Sequence, residues 1–353
     1  AGLTFNDEAD TINALVPQIK AQGVKTIVVL IHEGGTPPAN ADINSCGVSG
    51  PIVDIVNRTS LDVDLFITGH THQPYNCVID GRPVSSAFSF GRLVTDIDMT
   101  IDRATGEPVP GSISVNNRIV TRDVPADEGI AQLVNKYNTI VAPLANRVIG
   151  SITAAVTRTN NAAGESALGD VIADGQLLAT SSATTGNAVI AFMNPGGIRA
   201  DLTYPSSPAG EGDGNVTYGE MFTVQPFGNN LVTKTMTGAQ IKTLLEQQFV
   251  TSAGAARTVV LQVSAGFTYN WSTSAPIGSK VSNIALNGTP IDPVASYRVT
   301  MNSFLADGGD DFPVFKDGTN VLGGAVDTDA FEAYFAANSP VPPGPQSRIT
   351  VVP

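Results

Sequence analysis

Two mainly apolar runs, "KTIVVLI" (Lys25–Ile31) and "VDLFITG" (Val63–Gly69), lie between segments with helical periodicity. A strand without polar alternation has both faces buried, so this pattern predicts an α/β layer whose sheet is covered on both sides. The preceding stretch "NDEADTINALVPQIKAQG" places apolar residues at Ile12, Leu15 and Ile19 and stops at Gly23, which reads as an amphipathic helix. "SGPIVDIVNRT" reads as a second, short helix, and after "IDGRPVSSAFSFGRLVTDIDMTID" the pattern turns to hairpins separated by glycines.

Both apolar runs end at histidine. The chain has only three histidines in 353 residues: His32 closes the first run, and His70 and His72 follow the second in "GHTH". Open α/β sheets place ligands at the carboxyl ends of their strands. A lone histidine at such a place usually caps a turn. Three of three at strand exits, with glycines that let the backbone turn tightly, favour metal ligation instead.

The rest of the chain organises around a long helix. "DEGIAQLVNKYNTIVAPLANR" (Asp127–Arg147) is acidic at its start and basic at its end, as the helix dipole favours, and Pro143 in its interior predicts a kink or break there. It separates segments of different character and reads as a connector. Beyond it, "NAVIAFM", "LVTKTMTG", "RTVVLQVSAGFTYN" and "SYRVTMNSF" are strand candidates of a second α/β unit.

Composition narrows the partners. With 32 Asp and Glu against 19 Lys and Arg, the net charge is −13, which argues against a nucleic acid polymer as main partner but leaves a small anionic ligand open. No apolar run approaches the roughly eighteen residues of a transmembrane segment. Cys46 and Cys77 lie in the polar stretches "INSCGVSG" and "QPYNCVIDG". That placement predicts a disulfide and an extracytoplasmic location: secreted, periplasmic or at the cell surface.

"GHTH" is similar to the last signature of the calcineurin-like metallophosphatases, and "VLIHEG" to their penultimate one. In the second half, "ESALGDVIADG", "NPGGIRADL", "VQPFGNNL" and "NSFLADGGDDF" resemble, in order, the landmarks of the 5′-nucleotidase C-terminal domain. The resemblance to the 5′-nucleotidase family covers nearly the whole chain. It implies that His32 and His70 bind one metal and His72 another, in a centre of two divalent ions (Zn, Mn or Fe) in the complete protein. It implies that Phe227 and Phe304 sandwich a nucleobase, that Asn194 and Arg199 contact the ribose and phosphate side, that Asn229 reads the base edge and that Asp310 accepts from the ribose hydroxyls. Stacking suits a flat heterocycle, a guanidinium suits phosphate, and a carboxylate suits paired hydroxyls. Glu165 and Asp170 are read as residues that hold the fold.

Two departures qualify the match. The arginine that family members often carry three residues before Glu165 is Ala162 here, and Arg158 is the candidate to take its role. The family's early metal motifs, Asp-x-His, Gly-Asp-x-x-Asp and Gly-Asn-His-Glu, do not occur; they are expected upstream of residue 1. No catalytic residue is therefore assigned within this chain.

The sequence thus predicts an α/β (α+β sandwich) protein in three parts. These are the C-terminal portion of a four-layered metallophosphatase domain (1–122, its N-terminal half missing), a linker helix (123–147) and a C-terminal nucleotide-binding domain (148–353). The expected activity of the complete protein is metal-activated hydrolysis of nucleoside phosphates to nucleoside and phosphate, the chain alone being inactive. The alternatives are a non-catalytic nucleotide-binding protein and a cyclic-nucleotide or nucleotide-sugar hydrolase. A sulfur-ester hydrolase of similar architecture is disfavoured, because it needs no stacking phenylalanines.

Overall fold

The computed structural model describes residues 4–252 and 255–353. They fall into two compact units, one running to Ala126 and including the short stretch at Thr251, the other beginning at Asp127. The fold is mixed α/β with several sheets.

In the first unit the helix Glu8–Ala21 starts at Asp7, whose side chain accepts from the Asp10 amide. It buries Ala9 and Val16, while Ile12 and Ile19 pack at the core margin and Leu15 faces solvent. The two apolar runs form short parallel strands, Val28–Leu30 and Leu65–Ile67, in a four-stranded sheet completed by Arg82–Ala87 and Pro74–Ile79. The second run is buried as expected. The first is not: its strand lies at the sheet edge, with Val28 42% and Leu30 75% exposed. Uniform hydrophobicity could not distinguish an edge strand covered on one face from a central one. Cys46 and Cys77 are joined in a disulfide. Cys77 belongs to the buried core on the strand Pro74–Ile79, rather than to the polar turn its neighbours suggest.

The second unit opens with the helix Glu128–Ala145, capped by Asp127. The helix runs unbroken through Pro143, which sits two residues from its end. Proline has no amide to donate to the Thr139 carbonyl four residues back, and the helix ends two residues later. A five-stranded sheet follows in the order Gln262–Val263, Ile190–Met193, Ser296–Asn302, Asn230–Thr237, Thr319–Val326. The strands Ile190–Met193 and Ser296–Asn302 run parallel, and Asn230–Thr237 runs antiparallel to the latter with Leu231 opposite Asn302. The run "RTVVLQVSAGFTYN" is not one strand. A turn closed by the Phe267 amide on the Ser264 carbonyl, with Gly266 at φ 85°, sends Gln262–Val263 and Phe267–Ser272 into different sheets.

Candidate functional site

The register of this sheet places three segments at one edge. Asn194 follows the carboxyl end of Ile190–Met193, and Phe304 follows that of Ser296–Asn302. Asn229 precedes the antiparallel strand Asn230–Thr237, whose Leu231 pairs with Asn302. That edge is where an α/β sheet presents a ligand site.

Asn302 organises it. It is 1% exposed, and its Oδ1 caps the one-turn helix Ser303–Ala306 by accepting from the Leu305 amide at 2.9 Å. Its Nδ2 donates to Asn194 Oδ1 at 2.9 Å, and Asn194 Nδ2 donates to Asp310 Oδ2 at 2.8 Å. A buried relay of amides therefore fixes the Asp310 carboxylate. Asp310 and Asp311 both adopt left-handed backbone, φ 54° and 64°. Such strain costs roughly 1–3 kcal/mol per residue and persists only where the surroundings enforce it. Asn194 is itself buried and spends both ends of its amide on Asn302 and Asp310. Asn229 is committed in the same way: its Oδ1 accepts from Ser303 Oγ at 3.1 Å, and its side chain holds the carboxylate of Asp327, which burial pushes up.

The two phenylalanines are presented rather than packed away. Phe304 is 45% exposed on the short helix, its ring lying over Gly309, where a Cβ would come within 2.5 Å of it. Phe227 is 57% exposed, just after the helix Tyr218–Val224 and before Gly228 at φ 62°. Arg199 lies over the Phe227 ring, its guanidinium carbon 5.4 Å from the centroid, and donates to the Gly196 carbonyl at 3.1 Å. One face of Phe227 is therefore shared with a cation. Arg158 approaches the same loop: its Nη1 is 3.4 Å from the Ile198 carbonyl, and its backbone amide donates to Asp201. A cleft of about 450 Å³ opens beside it, lined by Arg158, Pro195, Ile198 and Asp201 among others.

In the first unit the histidine loops touch through glycine. Gly34 has no room for a Cβ, which would lie 2.3 Å from the Gly69 carbonyl, and the Gly69 amide donates to Glu33. The rings of His32 and His70 consequently stand edge to face with centroids 5.2 Å apart, and His72 sets its edge against Phe90 at 5.3 Å. His70 and His72 are both left-handed, φ 66° and 52°. Among the described residues no group of three or more His, Cys, Asp or Glu is placed to hold a metal ion. Structural and catalytic zinc sites take three or four protein ligands.

Sequence reasoning missed Asn302 as a cap and relay, although Asn before "SFLA" is an N-cap signal. It also missed Lys234, which shares its strand face with apolar Val232 and Met236; a charge on a core-facing period is the available clue.

The fold is that of a two-unit α/β protein whose second unit gathers Asn194 and Asp310 at the carboxyl end of a sheet strand. Residues 148–317 match the family model of the 5′-nucleotidase, C-terminal domain. The chain thus carries a 5′-nucleotidase C-terminal domain. It is 31% identical to Cell wall protein Lmo0130 of Listeria monocytogenes over 94% of its own length and 43% of that protein. It is 29% identical to Endonuclease YhcR of Bacillus subtilis over 94% of its length and 25% of that protein. The structure of a 5′-nucleotidase precursor from Thermus thermophilus superposes with a TM-score of 0.74 at 28% identity, covering 99% of this chain and 68% of the other. The chain spans less than half the length of the first two relatives.

Proposed function

We propose that the chain is the nucleotide-recognising part of a 5′-nucleotidase-type phosphoesterase, one that hydrolyses nucleoside phosphates to nucleoside and phosphate. The observation that carries this is the Asp310 carboxylate, fixed by Asn194 and Asn302 beside the exposed ring of Phe304. A carboxylate held in strained backbone next to an open aromatic face suits a ribose with its base stacked above it. In this reading Phe227 and Phe304 take the base, Asp310 takes the ribose hydroxyls, and Arg199 and Arg158 supply positive charge on the phosphate side. Asn194 and Asn229 act by holding Asp310 and Ser303 rather than through free amide groups of their own.

His32, His70 and His72 would contribute to a metal centre only with further ligands, carboxylates among them. Two divalent ions in the complete protein would activate water. Exposed Val28 and Leu30 on the open sheet edge fit a first unit that packs against more chain than is present here. The disulfide supports an oxidising, extracytoplasmic setting. A non-catalytic nucleotide-binding role is the second reading, favoured by the short donor set among the described residues. Phosphate release from a panel of nucleoside phosphates, cyclic nucleotides and nucleotide sugars by the longest natural form, with and without chelator, decides between them. Chelator-sensitive release supports the hydrolase, and binding without release the second reading.

A further inference from the structure

Lys234 lies mid-strand in Asn230–Thr237 and is only 7% exposed. Its Nζ donates to the Ala306 carbonyl at 2.8 Å and to the Phe315 carbonyl at 2.9 Å. Those two carbonyls bracket the segment of interest: Ala306 ends the one-turn helix that carries Phe304, and Phe315 lies beyond Asp310. The stem of the lysine is held flat, since a Cβ on Gly318 would come within 2.9 Å of its Cβ and Cδ. Burial works against the charged amine and lowers its pKa, with Asp307 acting in the opposite direction. A cation on the core face of a strand is costly, and an apolar side chain would serve packing better. Between its two anchors the backbone turns left-handed at Gly308, Asp310 and Asp311. Asp310 and Asp311 carry the strain of that conformation, which persists only where the surroundings enforce it.

We propose that Lys234 is a positioning residue that staples the two ends of the 306–315 segment, so that Phe304 and Asp310 stay in place to receive a nucleoside. This rests on the nucleoside-site reading above. Asn302 fixes the entry to the segment, and Lys234 closes it from beneath.

The test is adenosine binding to the full chain by calorimetry, with folding followed through Trp271. Lys234→Met removes the donors at similar length, and Lys234→Gln restores amide donors without the charge. The Met variant loses both hydrogen bonds and is expected to bind adenosine about tenfold more weakly. The Gln variant is expected to recover part of that loss. A purely structural role would lower the unfolding midpoint and leave the Kd of the folded protein unchanged, and that result overturns the proposal. Should the Met variant not fold, Lys234→Gln decides by itself: weaker binding than wild type supports the staple, and equal binding overturns it. Failure of the wild-type chain to bind adenosine would overturn the nucleoside-site reading and this inference with it. Binding by wild type with no change in either variant would overturn Lys234's role alone.

Discussion

Asp170→Asn should flatten the pH dependence of stability in the second unit. Asp170 lies in the first turn of the helix Ala167–Thr180 and is fully buried, as is Glu165. Its Oδ2 accepts from the Gln346 amide at 2.9 Å, while its Oδ1 is buried without a donor. Glu165 accepts from the amides of Arg348 and Ile349 and meets the Asp170 carboxyl. Burial pushes Asp170 up to about 7; the Arg348 guanidinium opposes the rise, and Glu165 adds to it. The physical picture is a proton that burial keeps on Asp170, beside the carboxyl of Glu165, where both residues tie the C-terminal segment to this helix. Between pH of roughly 4 and 7 the folded protein holds a proton that the unfolded chain has released, so stability falls as pH rises through that window. The full difference, from 3.8 to about 7, corresponds to about 4 kcal/mol, of which about 3 lies between pH 5 and 8. An asparagine is neutral throughout, and its amide can donate to Glu165 permanently. Urea unfolding at pH 5 and pH 8 reads this through the single tryptophan, Trp271, whose indole donates to Ala163 at 3.0 Å in the same unit. The variant should gain on wild type by about 3 kcal/mol between the two pH values. An equal difference between variant and wild type at both would refute the proton held on Asp170.

Two further outcomes follow from the same geometry. Non-reducing mass analysis should find Cys46 and Cys77 joined, and opening this bridge across a sequence separation of 31 should cost the first unit about 3–4 kcal/mol in calorimetry. Asn302→Ala removes the cap on Leu305 and orphans the Asn194 carbonyl; about 2–4 kcal/mol is expected in urea unfolding, together with weaker adenosine binding.

What the sequence made legible was the placement of elements and of chemistry-bearing types. Apolar runs ending in histidine gave the strand exits of the first sheet, and the ordered motifs gave the loops that carry Phe227, Phe304 and Asp310. It could not reveal how each amide spends its two ends. Asn194 and Asn229 look like ligand readers by type, yet their hydrogen bonds go to Asp310, Asn302, Ser303 and Asp327. Neither could hydrophobicity alone tell that Val28 and Leu30 sit on an open edge, because edge position depends on strand order, which is a long-range property. Lys234 was hidden for a related reason: its anchors, Ala306 and Phe315, lie more than seventy residues away in the chain.

The nucleoside site itself is tested most directly by titrating adenosine into the wild-type chain and into Phe227→Ala and Phe304→Ala, by calorimetry at one salt concentration. Each stacked aromatic face contributes about 1–3 kcal/mol, so each variant should bind roughly one to two decades more weakly than wild type. Two variants that bind adenosine as tightly as wild type would contradict the base sandwich and the site built around it.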